Sequence, residues 1–210
     1  DGDVKRIRTA RGTVKAKQVV VCTSGYLNWM LPRLRLSILP IGTYVMLTEP
    51  LGDRLKTAIR ANHAVSDNRF APDYYRALPD SRILWGGRIS MATNPADLDR
   101  LMLGDMLKVY PQLAGTKVDV AWPGTMGYTT HKMPLIGELK PGVWVNTCFG
   151  GHGMCATTAG GETVAKAIAL GDESWKLFRP FGLSFAGGPA GPLAAQTVYW
   201  YWQLRDLMKR

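Results

Sequence analysis

Val143-Trp144-Val145-Asn146-Thr147-Cys148-Phe149-Gly150-Gly151-His152-Gly153-Met154, continued after Cys155 by Ala156-Thr157-Thr158-Ala159-Gly160-Gly161-Glu162, carries more information than any other stretch of the chain. The β-favouring run Val143 to Cys148 reads as a strand, and the glycines after it break it. A small-residue segment from about Met154 to Leu170 then reads as a helix, stopped by Gly171. Three glycines in the break let a ligand come close to the backbone. The unpaired N–H groups of the first helical turn point at that ligand, and the helix dipole favours negative charge there. The pattern is that of an anion site, although a glycine-rich strand-to-helix turn also occurs as plain structure.

Working outward, the chain alternates strand and helix signals. Val4 to Thr9 and Thr13 to Cys22 read as strands around Ala10-Arg11-Gly12, the second becoming apolar and buried at Val19-Val20-Val21. Tyr26 to Leu31 is a short amphipathic piece ending at Pro32, and Ile41 to Thr48 is a strand stopped by Glu49-Pro50. Tyr74 to Leu78 and Arg82 to Gly87 form a hairpin around Pro79-Asp80-Ser81, so alternation sends one of Tyr74 and Tyr75 to the core. Asn94-Pro95-Ala96-Asp97 has the grammar of a helix start, with Leu98, Leu101, Met102 and Val109 as its buried stripe and Tyr110-Pro111 as its end. Val118 to Trp122 is another strand. Residues 182–193 hold too many glycines and prolines for regular structure, and Ala194 to Met208 is a final helix carrying Tyr199, Trp200, Tyr201 and Trp202. That helix either packs as ordinary core or docks on a part of the protein outside this chain.

Composition narrows the function. The 210 residues carry 26 Lys and Arg against 16 Asp and Glu, a net charge of +10. Residues 1–35 alone hold eight basic residues against Asp1 and Asp3, so the excess is local. Such an excess marks a solvated face or a surface for an acidic partner; with no accompanying motif, nucleic acid is not expected. No apolar run approaches the ~20 residues that span a bilayer. No apolar segment follows Asp1-Gly2-Asp3 as in a signal peptide, so a cytoplasmic protein without membrane partners is expected. Cys22, Cys148 and Cys155 are odd in number and lack metal-ligand spacing, which argues for a reducing compartment and against disulfides or a metal.

Four segments, in order over about 150 residues, resemble the D-amino-acid oxidase-like FAD-dependent oxidoreductases, in particular their glycine/sarcosine oxidase and γ-glutamylputrescine oxidase-like members. They are Lys15 to Tyr26; Tyr75-Arg76 with Arg82 to Arg88; Trp122 to Thr130 with Met133 to Gly137; and Gly150 to Glu162. The resemblance implies an α+β fold: a mixed or antiparallel substrate-domain sheet with packed helices, plus the C-terminal part of a Rossmann-like FAD-binding domain. It divides the chain into residues 1–37 (FAD-binding strands), 38–125 (substrate domain), 126–180 (FAD-binding domain with the flavin-ring loop) and 181–210 (loop and aromatic helix).

The activity so implied is oxidation of a C–N bond of an amine or amino-acid-like substrate to an imine. A non-catalytic partner subunit or fragment of a flavoprotein is the alternative, and a basic nucleic-acid-binding domain a more distant one. The resemblance puts FAD against Thr23, Gly25, Gly150, Gly151, His152, Gly153 and Met154, and the substrate against Tyr74, Tyr75, Arg76 and Trp122; no catalytic residue is singled out. Arg76 would fork onto a substrate carboxylate, unless it is a plain surface residue. Met126 stands near where sarcosine oxidases tether flavin through cysteine, which implies non-covalent FAD. Cys155 and the Leu84 region stand where those enzymes place lysines, leaving amine conjugates and a dehydrogenase open. The G-x-G-x-x-G turn that would hold the diphosphate is absent, so an N-terminal FAD-binding half is the expected partner.

Overall fold

In the computed structural model, which describes residues 3–208, the strand-loop-helix stretch forms as read. Strand β10, Val143–Thr147, is buried along its whole length, and α3, Gly153–Leu170, ends at Gly171 in the left-handed conformation (φ 69°). Asp1 and Gly2, in the first expected segment, and Lys209 and Arg210, in the last, lie outside the described residues. The other elements, in chain order, are β1 (Lys5–Thr9), β2 (Gly12–Ala16), β3 (Val19–Val21), α1 (Pro32–Leu36), β4 (Leu39–Thr48), β5 (Val65–Ser66), β6 (Tyr74–Ala77), β7 (Ile83–Ser90), α2 (Leu98–Val109), β8 (Val118–Tyr128), β9 (Leu135–Lys140) and α4 (Gly191–Met208). The α+β class expected from the sequence holds. Among the described residues no helix is long and apolar enough to cross a membrane.

Two units emerge, residues 3–40 with 126–188, and residues 41–125 with 189–208. In the first, β10 lies between β3, to which it is parallel, and β9, to which it is antiparallel. One face of this sheet packs Val21, Leu135 and Val145 against Leu34 and Ile38; the other packs Ile136 and Trp144 against Val164 and Ala167 of α3. A central strand covered on both faces has no solvent side, which is why β10 shows no in-out alternation and buries all five residues, Asn146 and Thr147 included.

The second unit is a five-stranded sheet in the order β5-β6-β7-β4-β8. Its core joins Tyr44, Met46, Ile83 and Trp85 to Leu98, Met102 and Met106 of α2. Tyr75 stacks on Trp85, with ring centroids 4.2 Å apart and 4° between planes, and its hydroxyl accepts a hydrogen bond from Tyr110 at 3.0 Å. One face of α4 packs in this unit: Tyr199 is buried, Trp202 stacks on Phe70 at 5.0 Å, and Asp206 accepts from the Phe70 amide. Its other face, with Leu193, Trp200, Tyr201, Leu204 and Leu207, is exposed.

Several local expectations are corrected. The run Thr13 to Cys22 is two strands rather than one, and Val20 is 42% exposed because β3 is a sheet edge. The amphipathic piece Tyr26 to Leu31 forms no helix beyond a turn at Ser24–Tyr26, and Pro32 opens α1, at the first-turn position where its missing N–H costs nothing. Asn94 is not a cap: Asp97 precedes the helix in a left-handed conformation (φ 54°) and caps through its carbonyl alone, accepting from the Leu101 amide. The α2 stripe is Leu98, Met102 and Met106, with Val109 exposed. Strand β8 runs on through Pro123 because it is an edge strand, where a missing N–H breaks no ladder. Within residues 182–193 a short 3-10 turn forms at Gly188–Ala190, and α4 starts at Gly191.

The corrected stripe has a measurable consequence. Met106→Ala should lower unfolding free energy by about 2–5 kcal/mol in urea titrations, whereas Val109→Ala should stay within about 0.5 kcal/mol; comparable losses would restore the sequence-based stripe.

Candidate functional site

Parallel strands β3 and β10 end at the same side of their sheet, the side where open α/β sheets place ligands. The turn after β3 and the loop after β10 therefore meet, although about 120 residues separate them in sequence. The Ser24 amide donates to Thr147 Oγ1 at 2.9 Å, and Ser24 Oγ accepts from the Gly127 amide at 3.0 Å. Gly150 in turn donates its amide to the Gly127 carbonyl at 3.2 Å. Thr23 and Gly25, flanking Ser24, thus lie beside the same small group of loops as Gly150 and Gly151.

The glycines are needed for two separable reasons. Gly150 and Gly151 have φ of 58° and 83°, a region that costs L side chains energy. A Cβ on Gly150 would also press within 3.0 Å of the Tyr128 ring, and one on Gly151 within 3.1 Å of Met126 Sδ. His152 donates from Nδ1 to the Gly150 carbonyl at 3.1 Å, which fixes that tautomer for the neutral ring and leaves Nε2 as an acceptor. Its own amide is committed to the Phe149 carbonyl, so His152 does not belong with the amides available to a ligand.

Those amides are at the start of α3. The helix has no side-chain cap and no acidic residue in its first turn, so the first-turn N–H groups have no intrahelical partner and the positive end of an 18-residue dipole is uncovered. Met154 is 92% exposed, and Gly153, Ala156 and Thr157 keep the surface low around it. Cys148, just before the loop, is buried with its thiol pushed up to about 11 by desolvation, while burial pushes the Tyr128 phenol up as well. Both stay neutral at physiological pH and add no charge beside the loop.

The expected substrate residues lie in the second unit and divide by face. Tyr75 is the core member of its pair, stacked on Trp85, and is removed from the candidate set for that reason. Tyr74 and Arg76 point to the face opposite the α2 layer. Tyr74 covers Gly86, and its hydroxyl bonds Thr43 Oγ1 at 3.3 Å. Gly124 adjoins Thr43 as well, and Trp122, two residues earlier in β8, is 42% exposed. Arg69, Arg82 and Arg88 each pair with aspartates, yet Arg76 has no carboxylate partner among the described residues. Ser24, Gly127 and Thr147 were not singled out from sequence, since their part in the loop cluster depends on a parallel pairing that local patterns do not reveal.

The profile of the family described as FAD dependent oxidoreductase matches residues 1–167. The chain belongs to that family. It is 35% identical over 206 residues to the gamma-glutamylputrescine oxidoreductase of Escherichia coli (strain K12), covering 95% of this chain and 48% of that protein. It is 32% identical over 178 residues to the probable oxidoreductase OrdL of Haemophilus influenzae, covering 82% and 40%. The fold is shared with the L-proline dehydrogenase from P. horikoshii (TM-score 0.65, 21% identity, 85% of this chain and 50% of that one) and with the glycine oxidase from Geobacillus kaustophilus (TM-score 0.65, 17% identity, 87% and 50%). The chain spans about half the length of the curated relatives it matches, or less. The family's FAD has a chemically suitable contact here, because the bare amides and glycine cradle at the start of α3 suit an electron-rich ring edge.

Accessibility of the three thiols tests the loop's packing. In the native protein at pH 8, iodoacetamide should label Cys22 and Cys155, which are exposed, and leave Cys148 unlabelled until the protein is denatured; mass spectrometry that finds Cys148 modified as fast as the others would show the loop to be open.

Proposed function

We propose that this chain supplies the flavin-ring loop and the substrate face of an FAD-dependent enzyme that oxidises a C–N bond of an amine or amino-acid-like substrate to an imine. The observation that carries the reading is the uncapped start of α3 behind the left-handed Gly150-Gly151 turn, with no acid in its first turn. FAD, when bound, would supply an acceptor for the hydride equivalent of the C–H bond beside the substrate nitrogen, whose N–H proton would be lost to water, and would leave its pyrimidine edge more electron-rich. The amides of Gly153 and Met154 and the α3 dipole would stabilise that edge as preorganised donors do at an oxyanion. Gly151 and His152 would hold the loop, and Thr23 and Gly25 would border the cofactor's adenosine side. Met126, a thioether with no nucleophilic thiol, supports non-covalent attachment.

In the second unit, Arg76 would bind a substrate carboxylate through its planar fork, with Tyr74 and Trp122 as apolar walls. The remaining polypeptide of a full-length relative would supply the diphosphate-binding turn. The free edge of β3, three β-branched residues with no proline or charge to block pairing, is a suitable place for it to add a strand. The groove beside that edge is rimmed by Lys5, Arg6 and Arg8, which favours an acidic surface opposite. Three free cysteines support a reducing, cytoplasmic setting.

Gly153→Asp separates the helix from its chemistry. A carboxylate in the first turn should stabilise α3 by about 0.3–1 kcal/mol, while repelling the charge that reduction brings. The FAD-loaded enzyme should therefore keep its thermal midpoint and lose amine-dependent bleaching of the flavin band in anaerobic stopped flow; undiminished bleaching would remove the anion-site argument.

Substrate charge is read by Arg76. For a substrate with a carboxylate distant from the reacting amine, Arg76→Leu should raise KM about 10- to 100-fold, and Arg76→Lys should recover only part of the loss. Equal responses from simple amines and carboxylated ones would make Arg76 a structural residue.

A further inference from the structure

Asn146 is a buried polar residue with one half of its amide satisfied. It sits in β10, 9% exposed, and its Nδ2 donates to the Thr157 carbonyl of α3 at 3.1 Å, while its Oδ1 is buried without a partner among the described residues. An unpaired buried carbonyl costs about 1–3 kcal/mol, so Asn146 does not earn its place through stability alone. The helix lies close to the strand here. A Cβ on Gly160 would collide with Asn146 Oδ1 and come within 2.9 Å of Ile136 Cδ1, and one on Gly161 would stand 3.6 Å from Asn146 Nδ2. Thr157 then relays the contact towards the helix start, its Oγ1 donating to the Gly153 carbonyl at 2.6 Å.

We infer that Asn146 is a positioning residue: it fixes where α3 stands along its own axis, and so how far the Gly153 and Met154 amides project beyond the end of β10. Apolar packing of Val164 and Ala167 on Ile136 and Trp144 resists lifting the helix off the sheet, but a smooth contact through two glycines offers little resistance to sliding. A directional hydrogen bond to one carbonyl supplies that resistance. The precision matters because donors act on a developing charge at 2.7–3.1 Å and the dipole's influence fades within a turn.

The inference rests on the proposed flavin contact, and its test separates the two. Asn146→Ala removes the clamp and leaves a void. Asn146→Ala/Gly160→Ala puts a methyl into that void, with Ile136 Cδ1 shifting aside into the space the amide leaves, and restores packing but not the clamp. In the FAD-loaded enzyme the double variant should melt within about 4 °C of the parent, yet the amides of residues 157–161 should exchange hydrogen about tenfold faster. Its kcat should fall about 10- to 100-fold at nearly unchanged KM, with Asn146→Ala showing the same exchange and kcat. Exchange at parental rates in either variant, or recovery of kcat together with the melting temperature in the double variant, would overturn the positioning role. Should the parent neither bind FAD nor reduce it with any amine, the functional reading fails, and the exchange arm still decides whether Asn146 clamps the helix.

Discussion

Parallel pairing of β3 with β10 is the constraint on which the candidate cofactor site depends. It places the carboxyl ends of two strands, and hence the Thr23-Ser24-Gly25 turn and the Gly150-Gly151 loop, at one side of one sheet. Local propensity would form either turn separately; only the pairing lets Ser24 hold Gly127 and Gly127 hold Gly150. The amides at the start of α3 have a defined position because the loop preceding them leaves β10 and is held at Gly150 by Gly127, which Ser24 after β3 holds in turn. Antiparallel β9 then pairs with the other edge of β10, while Leu34 and Ile38 cover one face and α3 the other, so β10 has no solvent face.

What was legible in the sequence was what glycine and side-chain size dictate locally. The break at Gly150-Gly151 and the stop at Gly171 were readable because positive φ is cheap only for glycine, and all three adopt it. The β6–β7 hairpin was readable because a polar tripeptide separated two aromatic runs. What escaped depended on partners distant in sequence. Asn94 has the chemistry of a cap, but Asp97 turns left-handed between it and the helix. Pro123 resembles a strand end, and only the position of β8 at a sheet edge makes it harmless. Strand Leu135–Lys140 has no local signal of its own, since its buried start, Leu135-Ile136-Gly137, is too short and glycine-broken to show a period and only three alternating residues follow.

The substrate face shows the same division between local and distant information. Alternation alone required one tyrosine of the Tyr74-Tyr75 pair to face the core, without saying which. The answer lies across the sheet, where Trp85 offers Tyr75 a parallel ring and Gly86 offers Tyr74 no side chain to pack beside. Arg76 follows Tyr74 to the open face by the two-residue period of the strand. Its lack of a carboxylate partner among the described residues is informative because the neighbouring arginines Arg82 and Arg88 both have one.

The field at the start of α3 is made of dipoles rather than ions. No basic residue stands in the first turn of the helix, and Lys166, farther along it, is already paired with Glu162. A lysine at such a site would bring a stronger charge, but one that is mobile, screened by salt and able to lose its proton. Backbone amides have none of these weaknesses, and their strength falls instead with displacement. The burden of the site therefore shifts from charge to geometry: onto Gly150 and Gly151, which permit the turn, and onto Asn146 and Gly160, which set the helix against the strand. Eight of the 26 basic residues of a chain with net charge +10 lie in residues 1–35, while the first turn of α3 carries none and offers only backbone dipoles, a field that is already in place and does not move.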